Sequence, residues 1–344
     1  MTTHVHFVGS IGLDTTEEVF EAIGATVRPY IKRCPDGEVG GRRLWISWQW
    51  PLLRATAFLV PDESRRLGEG TGLSPLRLRA GMKAEDIHFG ELGYAREART
   101  SYQDFLRARE RGTLPREVRF QVCLPTPIAV IGAFVVPEHI PQVLPAYEQA
   151  MIREVGRICA AIPHRDLALQ WDVCIEMIQW DGRVPYMPPP PDMERVFAGQ
   201  FSRLTAAVPS DVELGFHLCY GDLDAKHFVE PQSLAKAVEL ANLIIANSKH
   251  AVTWIHMPVP ANRDDDAYFA PLEDLRRGPD TELYLGLVHA SDGVEGTLRR
   301  MRTASRYAGK FGIATECGMG RARTPEMARE LMRVHAGAAS AFSG

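Results

Sequence analysis

Eight short apolar runs, most of them separated by stretches of helical spacing, constrain the fold of this chain more than any other feature. They are HVHFV (4–8), PYIKR (29–33), VRFQVCL (118–124), LALQWDV (167–173), VELGFHL (212–218), AVTWIH (251–256), ELYLGLV (282–288) and FGIAT (311–315). Between them, TTEEVFEAIG (15–24) opens on Thr and closes on Gly, and 231–247 carries apolar residues at helical spacing. GVEGTLRRMRTASRYAG (293–309) ends in basic residues and Gly. These are helix start and stop signals. Eight strands alternating with helices predict an α/β fold, a single (β/α)8 TIM barrel spanning 1–344. The interval 41–116 is too long for one crossover. It contains WISWQWP and reads as a large insertion after the second strand that covers the barrel mouth.

The composition fits one globular enzyme-sized unit. Of 344 residues, 45% are hydrophobic and 24% charged, and the net charge is −4 without a basic block, so a nucleic-acid surface is not signalled. No apolar run approaches the ~20 residues of a membrane-spanning helix. The opening MTTHVHFVGSIGLD shows neither the charged start nor the long apolar core of a secretory leader. Six irregularly spaced cysteines in a large chain suit free thiols in a reducing, cytoplasmic setting. The proline-rich VPYMPPPPDM (184–193) reads as a loop.

A barrel places chemistry at the C-terminal ends of its strands. Gly9-Ser10 follows the first strand and CPDGEVGG, with Asp36 and Glu38, follows the second. The fourth ends in Asp172, and the fifth ends in His217 and Cys219 within GFHLCYGD. The sixth ends in His256, the seventh is followed by His289 and Asp292, and the eighth runs into Cys317. Strand alternation projects 217 and 219 to one side. His217, Cys219, His256 and Cys317 form a candidate set of two imidazoles and two thiolates, which suits tetrahedral zinc. Such a site favours thiol activation, because a metal-bound thiol deprotonates near neutral pH.

These segments resemble a known family. HVHFVGSIGLDT is similar to the opening strand and Gly-Ser turn of the C-terminal barrel of cobalamin-independent methionine synthase, within the methionine synthase and uroporphyrinogen decarboxylase-like superfamily. LQWDVCIEM resembles its amino-acid-binding segment, HLCYGD its His-x-Cys zinc motif, and ATECGMGR the loop with its last zinc cysteine. The resemblance runs from residue 4 to about 323. It implies a zinc-dependent methyl- or alkyltransferase acting on a small thiol, with a small methyl or alkyl donor. It implies His217, Cys219 and Cys317 as zinc ligands, the Gly9-Ser10 turn on a substrate carboxylate and Asp172 on its ammonium. There are departures. His256 in VTWIHMPVP stands where the family has a glutamate ligand, either as a substitute ligand or as a sign of metal loss. The family's acid–base histidine falls near Ser291, with His289 two residues earlier. PTPIAVIGAFVV lacks the family's tryptophan, so folate is not implied as donor.

Further residues have two readings each. His289 with Asp292 forms an acid–base pair or caps the next helix. Asp36 and Glu38 contact substrate or merely build a turn, and Arg263 binds an anionic group or supports a solvated helix start. Glu176, the tryptophans at 45, 48 and 50, and Cys34, Cys123, Cys159 and Cys174 read as packing residues, and Arg321 and Arg323 as surface residues. Two rival functions fit the same rim: a metal-free decarboxylase-like lyase with His217 as proton donor, and a small-molecule-binding barrel without catalysis.

Overall fold

A computed structural model describes residues 3–67, 72–185, 187–222 and 226–343. The strands are β1 (Arg33–Pro35), β2 (Leu59–Pro61), β3 (Leu76–Leu78), β4 (Arg119–Pro125), β5 (Leu167–Val173), β6 (Glu213–Leu218), β7 (Trp254–Pro258), β8 (Glu282–Val288) and β9 (Gly312–Thr315). Seven of them form one parallel sheet in the order β1-β4-β5-β6-β7-β8-β9, with helices between consecutive members; β2 and β3 pair antiparallel elsewhere. Val5 makes isolated parallel bridges to Ile31 on one side and Ile313 on the other. The amide of Val5 donates to Tyr30 O and that of His6 to Ile313 O, both at 2.9 Å. One short segment thus touches both flanks of the sheet.

The α/β class and the parallel sheet agree with the expectation. The first two apolar runs behave differently from it. Residues 4–8 contribute bridges rather than a continuous ladder, and the 29–33 run enters the sheet only from Arg33. Pro29 and Pro35 carry no N–H, so neither can donate to a sheet ladder. The 41–116 interval holds the helix Gln49–Arg54, the β2–β3 pair and the whole helix Tyr94–Glu110. That last helix packs on the helices Thr16–Thr26 and Ile140–Ala161. Buried Glu154 accepts from the amides of Leu92 (3.2 Å) and Ala95 (2.7 Å) and so satisfies orphan donors at its start.

Alternation stacks the inward side chains in layers. At the base, Arg33 lies between Glu213 (2.5 Å) and Glu282 (2.9 Å), its guanidinium carbon 4.2 Å from the Trp254 ring centroid. Above it, Ala168, Trp254 and Tyr284 pack together. Gly215 pairs in register with Trp254, and a Cβ on Gly215 would come within 2.0 Å of the indole; only glycine leaves room for that ring. The next positions are Gln170 on β5, His217 on β6 and His256 on β7, the last two in direct register. Asp172, Cys219 and Cys317 form the upper rim.

Candidate metal centre and the acidic pocket beside it

His217, Cys219 and Cys317 each offer a ligand atom, and all three atoms lie within 4.8 Å of one another in buried surroundings. The two Sγ atoms are 3.5 Å apart, and Cys317 Sγ is 3.7 Å from His217 Nε2. A tetrahedral zinc with sulfur at about 2.3 Å and nitrogen at about 2.0 Å sets edges of about 3.8 and 3.5 Å. The two edges that meet at Cys317 therefore fit the ion to within a few tenths of an ångström.

His256 is not brought into that group. Its Nε2 sits 3.0 Å from Thr315 O and its Nδ1 2.7 Å from His217 Nδ1. A carbonyl only accepts, so His256 Nε2 carries the proton and its Nδ1 is bare. His217 Nδ1–H must then donate to His256, which leaves the lone pair of His217 Nε2 facing the thiols. The physical reason for the difference from expectation is this mutual bond: both nitrogens of His256 are already engaged. Burial takes His256 down to about 3, and burial followed by the His256 neighbour takes His217 well below its ordinary pKa. Both rings are neutral, as metal ligation or its support requires.

The thiols are held protonated by their surroundings. Cys219 lies well above the usual thiol pKa through a hydrogen bond with Cys174 and through burial, and Cys317 through its contact with Cys219 and burial. Groups that favour the thiolates stand close by. The Gly221 amide donates to Cys219 Sγ at 3.2 Å, and Arg321 Nη2 is 4.0 Å from Cys317 Sγ. A divalent cation is the partner that would tip such a set towards deprotonation.

A narrow cleft runs from these donors to an acidic corner. Its wall includes Ser10, Glu38, Trp45, Asp172, Cys174 and Arg321. Asp172 accepts from Gln170 Nε2 at 2.9 Å and from Trp45 Nε1 at 3.3 Å. Gln170 is itself oriented by donating to Val8 O and accepting from His6 at 2.9 Å. Burial raises both carboxyls, Asp172 to about 7 and Glu38 to about 8, and the Asp172 charge adds to the rise at Glu38. Near neutral pH each is therefore partly protonated. Glu38 also has a positive φ of 48°, a sparsely used backbone region for a residue with a side chain. Ser10 Oγ accepts from the Gly320 amide at 3.3 Å, and a Cβ on Gly318 would lie 2.2 Å from that oxygen. Glycine there lets the Cys317 loop close over the Ser10 turn.

The other expected residues lie elsewhere. Asp36 is paired with Arg42 at 2.7 Å in a separate small recess. Arg263 pairs with Asp265 at 2.8 Å, and His289 Nε2 sits 2.8 Å from Val259 O. Both line a neighbouring cavity of about 620 Å³ together with Ser291, Glu316 and Arg323. Asp292 is held by fully buried Arg300 (2.8 Å) and by Arg299 rather than by His289. Trp45, Cys174, Arg321 and Arg323 sit closer to the rim chemistry than their sequence reading suggested. Arg323 pairs with buried Asp222 at 2.8 Å. Cys174 follows Asp172 by two positions, the same phase that joins His217 to Cys219, and that signal was readable. The arginines sit in an aperiodic loop that carries no such signal.

No protein-family model matches this sequence, and neither does any curated protein. Solved structures do share its fold. A B12-independent methionine synthase from Shewanella sp. W3-18-1, in complex with selenomethionine, superposes with a TM-score of 0.52 at 13% identity, covering 79% of this chain and 69% of that one. A Listeria monocytogenes protein provisionally described as a vitamin-B12-independent methionine synthase gives 0.58 at 11% identity, covering 100% of both chains. A methyltransferase from Methanosarcina mazei gives 0.53 at 10% identity, covering 100% and 95%. The fold is therefore one that methionine-synthase-like and methyltransferase proteins use. Among the described residues no helix is long and apolar enough to cross a membrane.

Proposed function

We propose that this chain is a zinc-dependent methyl- or alkyltransferase acting on a small thiol, built on a closed eight-stranded (β/α)8 barrel in which the Val5 segment is the eighth strand. The observation that carries the reading is the convergence of His217, Cys219 and Cys317, whose two edges at Cys317 match a zinc frame. These three would hold the ion. Zinc bound there would lower the pKa of a substrate thiol and leave it nucleophilic. The chain's own groups bind and orient. Asp172 with Glu38 accepts an ammonium group, Gln170 and Trp45 hold Asp172 in place, and Arg321 with the Ser10 turn faces an anionic group. Substrate enters by displacing Trp45 and Arg321, because the cleft holds only about 30 Å³, room for an ion and a water or two. The neighbouring cavity with Arg263, His289 and Ser291 is the place for the donor. The neutral, twice-bonded His217 is a poor proton donor, which favours this reading over a metal-free lyase.

The direct test is metal analysis of protein purified without a His tag, followed by methyl-transfer assays over a panel of amino-thiols. Stoichiometric zinc with thiol methylation supports the reading; zinc-free protein that turns over a carboxylate substrate overturns it. His256→Ala is expected to weaken zinc binding about 10–100-fold, the usual effect of losing a group that orients a ligand. Chelator competition measures it, and a loss as deep as that of Cys219→Ser would make His256 a ligand.

Glu38→Gln tests the acidic corner. The folded-state pKa of Glu38, about 8, lies above the ordinary Glu value of about 4.3. A raised carboxyl stabilises the fold fully below the lower value and loses that stability as pH rises towards the higher one. The Glu38 carboxyl should therefore contribute a loss of up to about 1.4 kcal/mol per pH unit across this window; Glu38→Gln should lack that share and keep only the loss due to Asp172. Urea melts at pH 5, 7 and 9 compare the two; parallel curves would remove Glu38 from the pH dependence.

A further inference from the structure

We propose that Trp45 is a built-in stand-in for the substrate: in the resting protein its indole occupies the place of an amino-thiol, and it competes with that ligand for Asp172. The inference rests on the acceptor site of the proposed function and concerns how access to that site is set. The half-buried Trp45 ring packs against the buried cluster that contains Cys174, Cys219 and Cys317, and its Nε1–H donates to Asp172 at 3.3 Å. One side chain thus reaches from the thiol end of the cleft to its acidic end. A small amino-thiol would cover the same span, with sulfur at one end and ammonium at the other. The Arg321 guanidinium carbon stands 5.7 Å from the Trp45 ring centroid, so the cation that would face an anionic group of the substrate is engaged by the same ring.

The backbone that places this ring is strained. Trp45 has φ 56° and ψ −98°, outside the regions that a bulky side chain favours. Strain of this kind gathers at sites that change conformation. The turn before it, Gly40–Leu44, buries none of its residues, and Leu44 is 56% exposed, so little core packing opposes the departure of the indole. Arg42 and Arg43 tether the turn through Asp36 (2.7 Å) and Asp14 (3.2 Å), which leaves the rotation to Trp45 itself. The exchange is favourable in charge. An indole N–H is a neutral donor, whereas an ammonium makes a charge-assisted bond to the same carboxylate, roughly twice as strong. It also brings a positive charge to the wall that Asp172 shares with Glu38.

Calorimetry on the full-length protein supplied with zinc tests this, with L-cysteine and its thiol-free analogue L-alanine as probes. Trp45→Ala is expected to bind L-cysteine about tenfold more tightly than wild type, because the competitor it removes is worth about one hydrogen bond. Trp45→Phe keeps a ring and loses the N–H, so its gain should have the same direction and be smaller. L-cysteine should shift the tryptophan emission of wild type to the red, and Trp45→Phe should lack that shift. Equal or weaker binding by Trp45→Ala, or an emission shift that persists in Trp45→Phe, would overturn the inference and leave the thiol-transferase reading standing. Equal affinity for L-alanine and L-cysteine would overturn the thiol reading, while tighter binding of both by Trp45→Ala would uphold the stand-in. Binding of neither probe by any of the three proteins would overturn both. If Trp45→Ala does not fold, Trp45→Phe decides alone.

Discussion

Cys219→Ser, and equally Cys317→Ser, is expected to lower zinc affinity about 10²–10³-fold and to abolish thiol transfer. A protein zinc site of four ligands is worth about 10–16 kcal/mol, so one ligand accounts for about 3–4 kcal/mol. The two cysteines come from β6's end and the loop after β9, yet their sulfurs are 3.5 Å apart, so neither can be replaced from its own element. Serine keeps the volume and removes the soft donor, which separates ligation from packing. Competition with a chromogenic chelator reads the affinity, and circular dichroism checks that the fold persists. Unchanged zinc affinity in both variants would remove the metal site from these residues.

Arg33→Met should destabilise the fold by about 3–5 kcal/mol, the usual range for removing one partner of a buried ion pair. Arg33 is 3% exposed at the base of the sheet interior and bridges Glu213 and Glu282 from below Trp254. Methionine restores the volume but not the charge. The loss should depend on pH. Burial alone would raise Glu282, but the Arg33 charge, with Lys32, overrides it and holds the carboxyl at about 2. A depressed carboxyl stabilises the fold above its unfolded pKa of about 4.3, and that stability is lost as pH falls towards 2. In Arg33→Met this acid-sensitive window should shrink. Urea denaturation at pH 7, 4 and 3 measures both effects. A variant as stable as wild type at pH 7 would show that the base layer tolerates apolar replacement.

Much of the site was legible because strand alternation is a local rule. His217 and Cys219 share a phase, and Asp172 and Cys174 share another, so each pair reaches the rim together. Cys174 was read as packing, and the structure buries it in the wall of the same cleft. His256 was placed on the right face and given the wrong neighbours. Alternation tells which side a ring projects to, but not that Thr315 O and His217 would occupy its two nitrogens. His289, Arg263 and Asp292 were expected beside the thiols because all follow strand ends. Their backbone turns send them into a second cavity or, for Asp292, onto Arg300.

The apolar runs by themselves determined the alternation of strand and helix, the parallel sheet and the residues near its C-terminal rim, because burial periodicity is written into neighbouring positions. The tertiary structure alone decided which donors meet. The 3.5 Å sulfur contact, the His217–His256–Thr315 chain and the influence of the Asp172 charge on Glu38 join residues far apart in sequence. Hydrogen bonding and the loss of water depend on what lies across space, and no local pattern records that.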